Sequence, residues 1–160
     1  MPARICGACW RFQHMLNCPN LMVSRRGKTM QRFHVLVVDD FQAWRDFARS
    51  TLEKVPSLFI VAEAADGLEA IQKAEEHQPD LVVLDIALPK LDGFEVARQI
   101  RQTCRASRIV FLTADHFYNV AEGGLPVGAS AYVLKSRAAT ELVPAVEAAL
   151  NSNGQTTALL

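Results

Sequence analysis

Five short apolar runs recur along the chain, at 35–38, 58–62, 81–84, 109–112 and 132–134, separated by stretches whose apolar positions fall three and four residues apart. Uninterrupted runs of this length, rich in β-branched residues, predict strands of a parallel sheet covered on both faces. Between the first two runs, Trp44, Phe47, Ala48, Thr51, Leu52 and Val55 recur at helical spacing with Arg45, Arg49 and Lys54 between them. That predicts an amphipathic helix closed by Pro56-Ser57. A second helix is expected over about 67–77, following the Asp66-Gly67 turn. A third carries Val96, Ala97 and Ile100 on one side, and a last one covers 138–151 with Leu142, Val146 and Leu150 inward. A stretch at about 118–128 is a weak helix, because Gly123, Gly124 and Pro126 interrupt it. Strand and helix alternating five times with short connections predict a doubly wound α/β fold with right-handed crossovers around a five-stranded parallel sheet.

Composition narrows the picture. The 160 residues are 50% hydrophobic, enough for one domain with a real core. The net charge of zero hides a division: residues 1–34 hold six Lys/Arg and no acid, whereas residues 35–160 hold eleven Lys/Arg against seventeen Asp/Glu. The sheet-forming part is therefore mildly acidic, which disfavours a nucleic-acid surface. No apolar run is long enough for a membrane span, and the N-terminus has no secretory signal pattern. Three of four cysteines lie in the first 18 residues with no disulfide framework, so a reducing cytosol is the expected compartment.

Each run delivers its downstream end to one edge of such a sheet, which is where sites form in doubly wound folds. The first ends in Asp39-Asp40, the third in Asp85, the fourth in Thr113 and the fifth in Lys135. Taken singly these are ordinary: solvated loop acids, a turn aspartate, a strand-end hydroxyl and a surface lysine. Their conjunction, in order and each at a strand terminus, is specific. Three clustered carboxylates repel one another unless a hard cation neutralises them, and Mg²⁺ accepts two carboxylates, a carbonyl and water. A carboxylate at Asp85 can attack phosphorus to give an acyl phosphate, with Lys135 stabilising charge on the transferring oxygens.

These residues carry a resemblance. From about His34 to Leu150, the chain resembles the receiver domain of bacterial two-component response regulators. The matching motifs are Val37-Val38-Asp39-Asp40, the run from Asp85 through Pro89 to Asp92-Gly93, Leu112-Thr113-Ala114, and Gly128-Ala129-Ser130-Ala131-Tyr132-Val133-Leu134-Lys135. The texture is closest to LuxR-type receivers, although Ser136 stands where many receivers have proline. The resemblance implies a flavodoxin-like (βα)5 fold and a protein that is not an enzyme beyond its own phosphorylation and dephosphorylation. It implies that Asp85 accepts phosphate from a histidine kinase or phosphotransfer protein. Asp40 and Asp85 would bind Mg²⁺ directly, with Asp39 acting through water and the Ala87 main-chain carbonyl completing the set. Lys135 would pair with the phosphoryl group, Thr113 would move to hydrogen-bond it, and Tyr132 would turn inward as the coupled switch. Assembly as a homodimer is left open.

The leader, residues 1–33, is basic and expected to be disordered. Cys6, Cys9, His14 and Cys18 have the spacing C-x₂-C-x₄-H-x₃-C, which can hold zinc tetrahedrally, but the surrounding composition favours a disordered tail. A start at Met30 is favoured over translation from Met1. Residues 34–151 form the receiver, and 152–160 read as a short tail without an output or DNA-binding domain. Three roles stay open: a stand-alone phosphorylation-controlled module, a relay intermediate, and a receiver remnant. An aspartyl-phosphate phosphatase is the least favoured, because neither Asp39 nor Asp40 has an acid two positions on.

Overall fold

The computed structural model describes residues 21–23, 29–114 and 128–151. Two compact units divide at residue 32. In the first, strand β1 (Leu21–Val23) pairs antiparallel with β2 (Thr29–Gln31), so part of the segment expected to be disordered is a strand pair. The Cys6, Cys9, His14 and Cys18 cluster lies outside the described residues, as does the weak helix expected near 118–128 apart from Gly128.

The second unit begins at Phe33 and contains β3 (Phe33–Val38), α1 (Gln42–Leu52), β4 (Leu58–Ala64), α2 (Gly67–His77), β5 (Leu81–Leu84), α3 (Gly93–Thr103), β6 (Arg108–Thr113), β7 (Ala131–Leu134) and α4 (Ala138–Asn151). The five strands are all parallel and run in the order β4-β3-β5-β6-β7. The doubly wound α/β expectation holds. The chain moves from β3 outward to β4, then crosses to the other side of β3 for β5, which creates a crevice at the carboxyl ends of β3 and β5.

Strand side chains alternate between two cores because the strand period is two. Val35, Val37, Leu81, Val83, Val110, Leu112 and Val133 face Ala48 and Leu52 of α1 and Leu142, Ala145 and Val146 of α4. Leu36, Val38, Val82, Leu84, Ile109 and Phe111 face Ala70 and Ala74 of α2 and Val96, Ala97 and Ile100 of α3. Both faces of the sheet are therefore covered, which is why the runs show no polar alternation. Phe111, wholly buried, meets Phe94 of α3 edge-on at 5.1 Å between ring centroids.

One boundary departs from the sequence reading. Helix α1 stops at Leu52, where Glu53 N–H still reaches Arg49 O, and Val55 N–H turns back to Leu52 O at 2.9 Å. Val55 packs against the core from this turn rather than from the helix. Pro56 supplies the cause, since the residue before a proline is pushed out of the helical region. The third and fifth strands also end one residue early: Asp85 follows β5, and Lys135 opens a single 3₁₀ turn, Lys135–Arg137, that leads into α4.

Candidate functional site at the strand ends

Register brings the predicted residues together. Val38 lies between Ala64 and Leu84, Leu84 pairs with Phe111, and Thr113 pairs with Leu134. The ladder continues one residue past the strands: Asp39 N–H donates to Ala64 O at 3.1 Å and Asp85 N–H to Val38 O at 2.9 Å. Asp39 and Asp85 are thus neighbours held by backbone bonds, at 3% and 4% exposure, while Asp40 turns out to solvent. Oxygens of Asp39, Asp40 and Asp85 lie within 4.8 Å of one another.

Lys135 reaches into this group. Its Nζ lies 2.9 Å from Asp85 Oδ2 and 2.6 Å from Asp39 Oδ2. The Asp85 contact is a directed hydrogen bond, and Asp85 Oδ1 accepts from Ile86 N–H at 2.8 Å. Asp39 Oδ1 accepts from Phe41 N–H at 3.0 Å, but its buried Oδ2 meets the ammonium only as a poorly directed ion pair. Burial pushes the Asp39 carboxyl above its usual range, although Lys135 and the Phe41 N–H pull the other way. Burial also opposes charge on Lys135, yet Asp39 and Asp85 together outweigh it and hold the ammonium above its ordinary value.

The donor set fits a hard divalent cation. All three candidate ligands are carboxylates, two are buried with one cation between them, and Asp39 Oδ2 has a lone pair without a directed partner. Ala87 is exposed in the loop after β5, two residues beyond Asp85. Thr113 is 1% exposed at the last position of β6. Tyr132 is half-buried on β7 opposite Phe111 and lines a cleft of about 250 Å³ with Arg137, Thr140, Glu141 and Pro144.

Several residues that build the site were not singled out from sequence. Arg45 read as a polar-face residue of α1, but its Nη1 donates to Asp39 O at 2.7 Å and Asp40 O at 3.3 Å, while Nε lies 3.6 Å from Glu63 Oε2. It ties the acidic loop to the first helix. Lys90, at φ 68°, places Nζ 2.6 Å from Asp66 Oδ2 and pins the loop after Asp85 to the start of α2. Trp44, read as a core-facing position, carries its ring 5.3 Å from Lys135 Nζ. The only sequence signal for these contacts is proximity to Asp39-Asp40 and to Asp85; the partners are set by the sheet order.

Comparison with known proteins agrees with this geometry. Residues 35–147 match the family model of the response regulator receiver domain. The transcriptional regulatory protein PdtaR of Mycobacterium tuberculosis is 41% identical over 100 residues, covering 62% of this chain and 48% of its own length. The alkaline phosphatase synthesis transcriptional regulatory protein PhoP of Bacillus subtilis is 42% identical over 118 residues, covering 72% of this chain and 48% of its own length. The chain thus spans about half the length of these curated relatives. Among solved structures, a LuxR-family two-component response regulator from Aurantimonas sp. superposes with a TM-score of 0.71 at 39% identity, covering 81% of this chain and 90% of that one. The response regulator domain of Thermotoga maritima CheB gives 0.69 at 28% identity, covering 77% of this chain and 99% of that one. The chain belongs to the response regulator receiver family. None of its described helices is long and apolar enough to cross a membrane.

Proposed function

We propose that the receiver takes a phosphoryl group on Asp85 from a phosphohistidine donor, a histidine kinase or phosphotransfer protein, and signals by a change of conformation at β6 and β7. The observation that carries this reading is Lys135 Nζ held at 2.9 Å from Asp85 Oδ2 and 2.6 Å from Asp39 Oδ2, three residues that follow β7, β5 and β3 at one edge of the sheet.

Asp85 is the nucleophile. A bond forms between one of its carboxylate oxygens and phosphorus as the donor's P–N bond breaks; the electron pair leaves with the imidazole nitrogen, which takes up a proton. Asp40, Asp85 and the Ala87 carbonyl would hold Mg²⁺, with Asp39 acting through water, and the ion would neutralise charge on the transferring oxygens. Asp39 and Asp85 keep the Lys135 ammonium charged and aimed at the acceptor, so that it pairs with a phosphoryl oxygen once the carboxylate has become an acyl phosphate. Thr113, buried at the end of β6, would turn its hydroxyl to a phosphoryl oxygen, and Tyr132 on the adjacent strand would follow that movement.

Function as a binding module, a cytoplasmic location and a kinase partner belong to this reading. The test is phosphorylation by acetyl phosphate with Mg²⁺, read by intact mass in the parent and in Asp85→Asn. Transfer that persists in Asp85→Asn would refute it.

A further inference from the structure

Lys135 is walled on a third side. Two directions from its ammonium lead to Asp39 and Asp85, and the Trp44 ring lies 5.3 Å away, within cation–π reach. The indole is itself fixed: Phe47, one turn on in α1, meets it edge-on at 5.4 Å and 81°. Helix α1 is tied in turn to the acidic loop by Arg45, whose guanidinium binds the Asp39 and Asp40 carbonyls. On this side Lys135 borders an open apolar groove of about 490 Å³, lined by Phe41, Trp44, Phe47 and Ala139. Without the indole the ammonium would have room to swing into that groove.

We propose that Trp44 is a positioning residue for phosphoryl transfer, its ring holding the Lys135 ammonium where it meets the incoming phosphoryl group. This rests on Asp85 as the acceptor. Lysine needs such a wall because its stem is long and flexible and loses rotamer entropy on ordering. Phosphoryl transfer depends on positioning and charge rather than on further covalent chemistry. The Asp85 contact is remade on transfer, since its carboxylate becomes an acyl phosphate and the negative charge moves to the phosphoryl oxygens. The indole does not change, so it presents the same face to Lys135 before and after transfer.

The experiment compares the parent with Trp44→Met, which keeps apolar bulk, and Trp44→Phe, which keeps an aromatic face. Phosphorylation by acetyl phosphate is followed at varied donor and Mg²⁺. Trp44→Met is expected to lower the maximal rate roughly three- to tenfold, with donor KM and Mg²⁺ affinity little changed, and Trp44→Phe to restore it to within about twofold. Three results would overturn the proposal: a parental rate in Trp44→Met, equal loss in both variants, or a loss that tracks weakened Mg²⁺ binding. A parent that is not phosphorylated on Asp85 would instead overturn the acceptor assignment, and this proposal with it. A measurement on the unmodified parent guards against variants that fold poorly. The Lys135 ε-methylene protons should be shifted upfield by the indole ring, and ordinary lysine shifts would contradict the contact.

Discussion

Gly93 lies directly under the carbonyl of Asp85. A Cβ placed on it would come within 2.2 Å of Asp85 O and 2.7 Å of Ile86 Cα, and its N–H donates to Ile86 O at 2.9 Å. The first residue of α3 is therefore packed against the backbone that carries Asp85. Gly93→Ala must displace that backbone. It is expected to cost about 1–3 kcal/mol, as overpacking does, and to slow phosphorylation more than an equally destabilising change far from the loop. Thermal melts and phosphorylation rates of Gly93→Ala and a distant control check this; equal rates would show that Asp85 is not held through Gly93.

Arg45 predicts a graded effect on the metal site. Asp40→Ala removes a charged ligand and should weaken Mg²⁺ binding strongly. Arg45→Ala leaves every ligand in place and releases the loop carbonyls it holds, so a smaller loss is expected. Mg²⁺ titration by Trp44 fluorescence orders the three proteins. A larger loss in Arg45→Ala than in Asp40→Ala would contradict the assignment of Asp40 as ligand.

Acid should loosen the start of α2. Asp66 caps the helix by accepting from Leu68 and Glu69 N–H at 3.0 Å, and Glu69 reaches back to Ala65 N–H at 2.7 Å. The Lys90 ion pair, then the helix N–H groups, hold Asp66 below its ordinary 3.8; the Ala65 N–H and Lys73 hold Glu69 below its ordinary 4.5. Depressed carboxylates contribute stability that is present above their unfolded values and lost as pH falls through the folded ones. Asp66→Ala should therefore melt below the parent near neutral pH, and the gap should close below the ordinary carboxylate range. A gap that stays constant into acid would deny the ionised cap.

Thr113→Ala should separate transfer from signalling. Thr113 is buried at the end of β6 beside the strand that carries Tyr132, and in the proposed function its hydroxyl meets a phosphoryl oxygen but neither attacks phosphorus nor holds the metal. Phosphorylation should persist, while the phosphorylation-dependent amide shifts around Tyr132 are lost. Parental shifts in the variant would refute the coupling.

Much of this was legible in the chain because both faces of the sheet are covered. Full burial turns each strand into an unbroken run, so the runs and their polar ends stand out, and α2 and α4 match the expected bounds of 67–77 and 138–151. Val55 misled because it packs on the core at helical spacing while standing outside the helix. Arg45 misled in another way, and Trp44 was read in part. An arginine between apolar helix positions reads as solvated; a tryptophan on the inner face reads as core, and Trp44 does pack against it while also meeting Lys135. Arg45 binds main-chain carbonyls five and six residues back, which no residue pattern marks, whereas the Trp44–Lys135 contact arises only when the ends of β3 and β7 are brought to the same edge. The same limit hid the Lys90–Asp66 pin, whose partners are 24 residues apart.

The central claim is that Asp85 is the acceptor and Lys135 its charge partner. Intact mass after incubation with acetyl phosphate and Mg²⁺ tests it most directly, in the parent, Asp85→Asn and Lys135→Ala. The parent should gain one phosphoryl group, Asp85→Asn none, and Lys135→Ala should gain it far more slowly. Equal incorporation by Asp85→Asn and the parent would contradict the account.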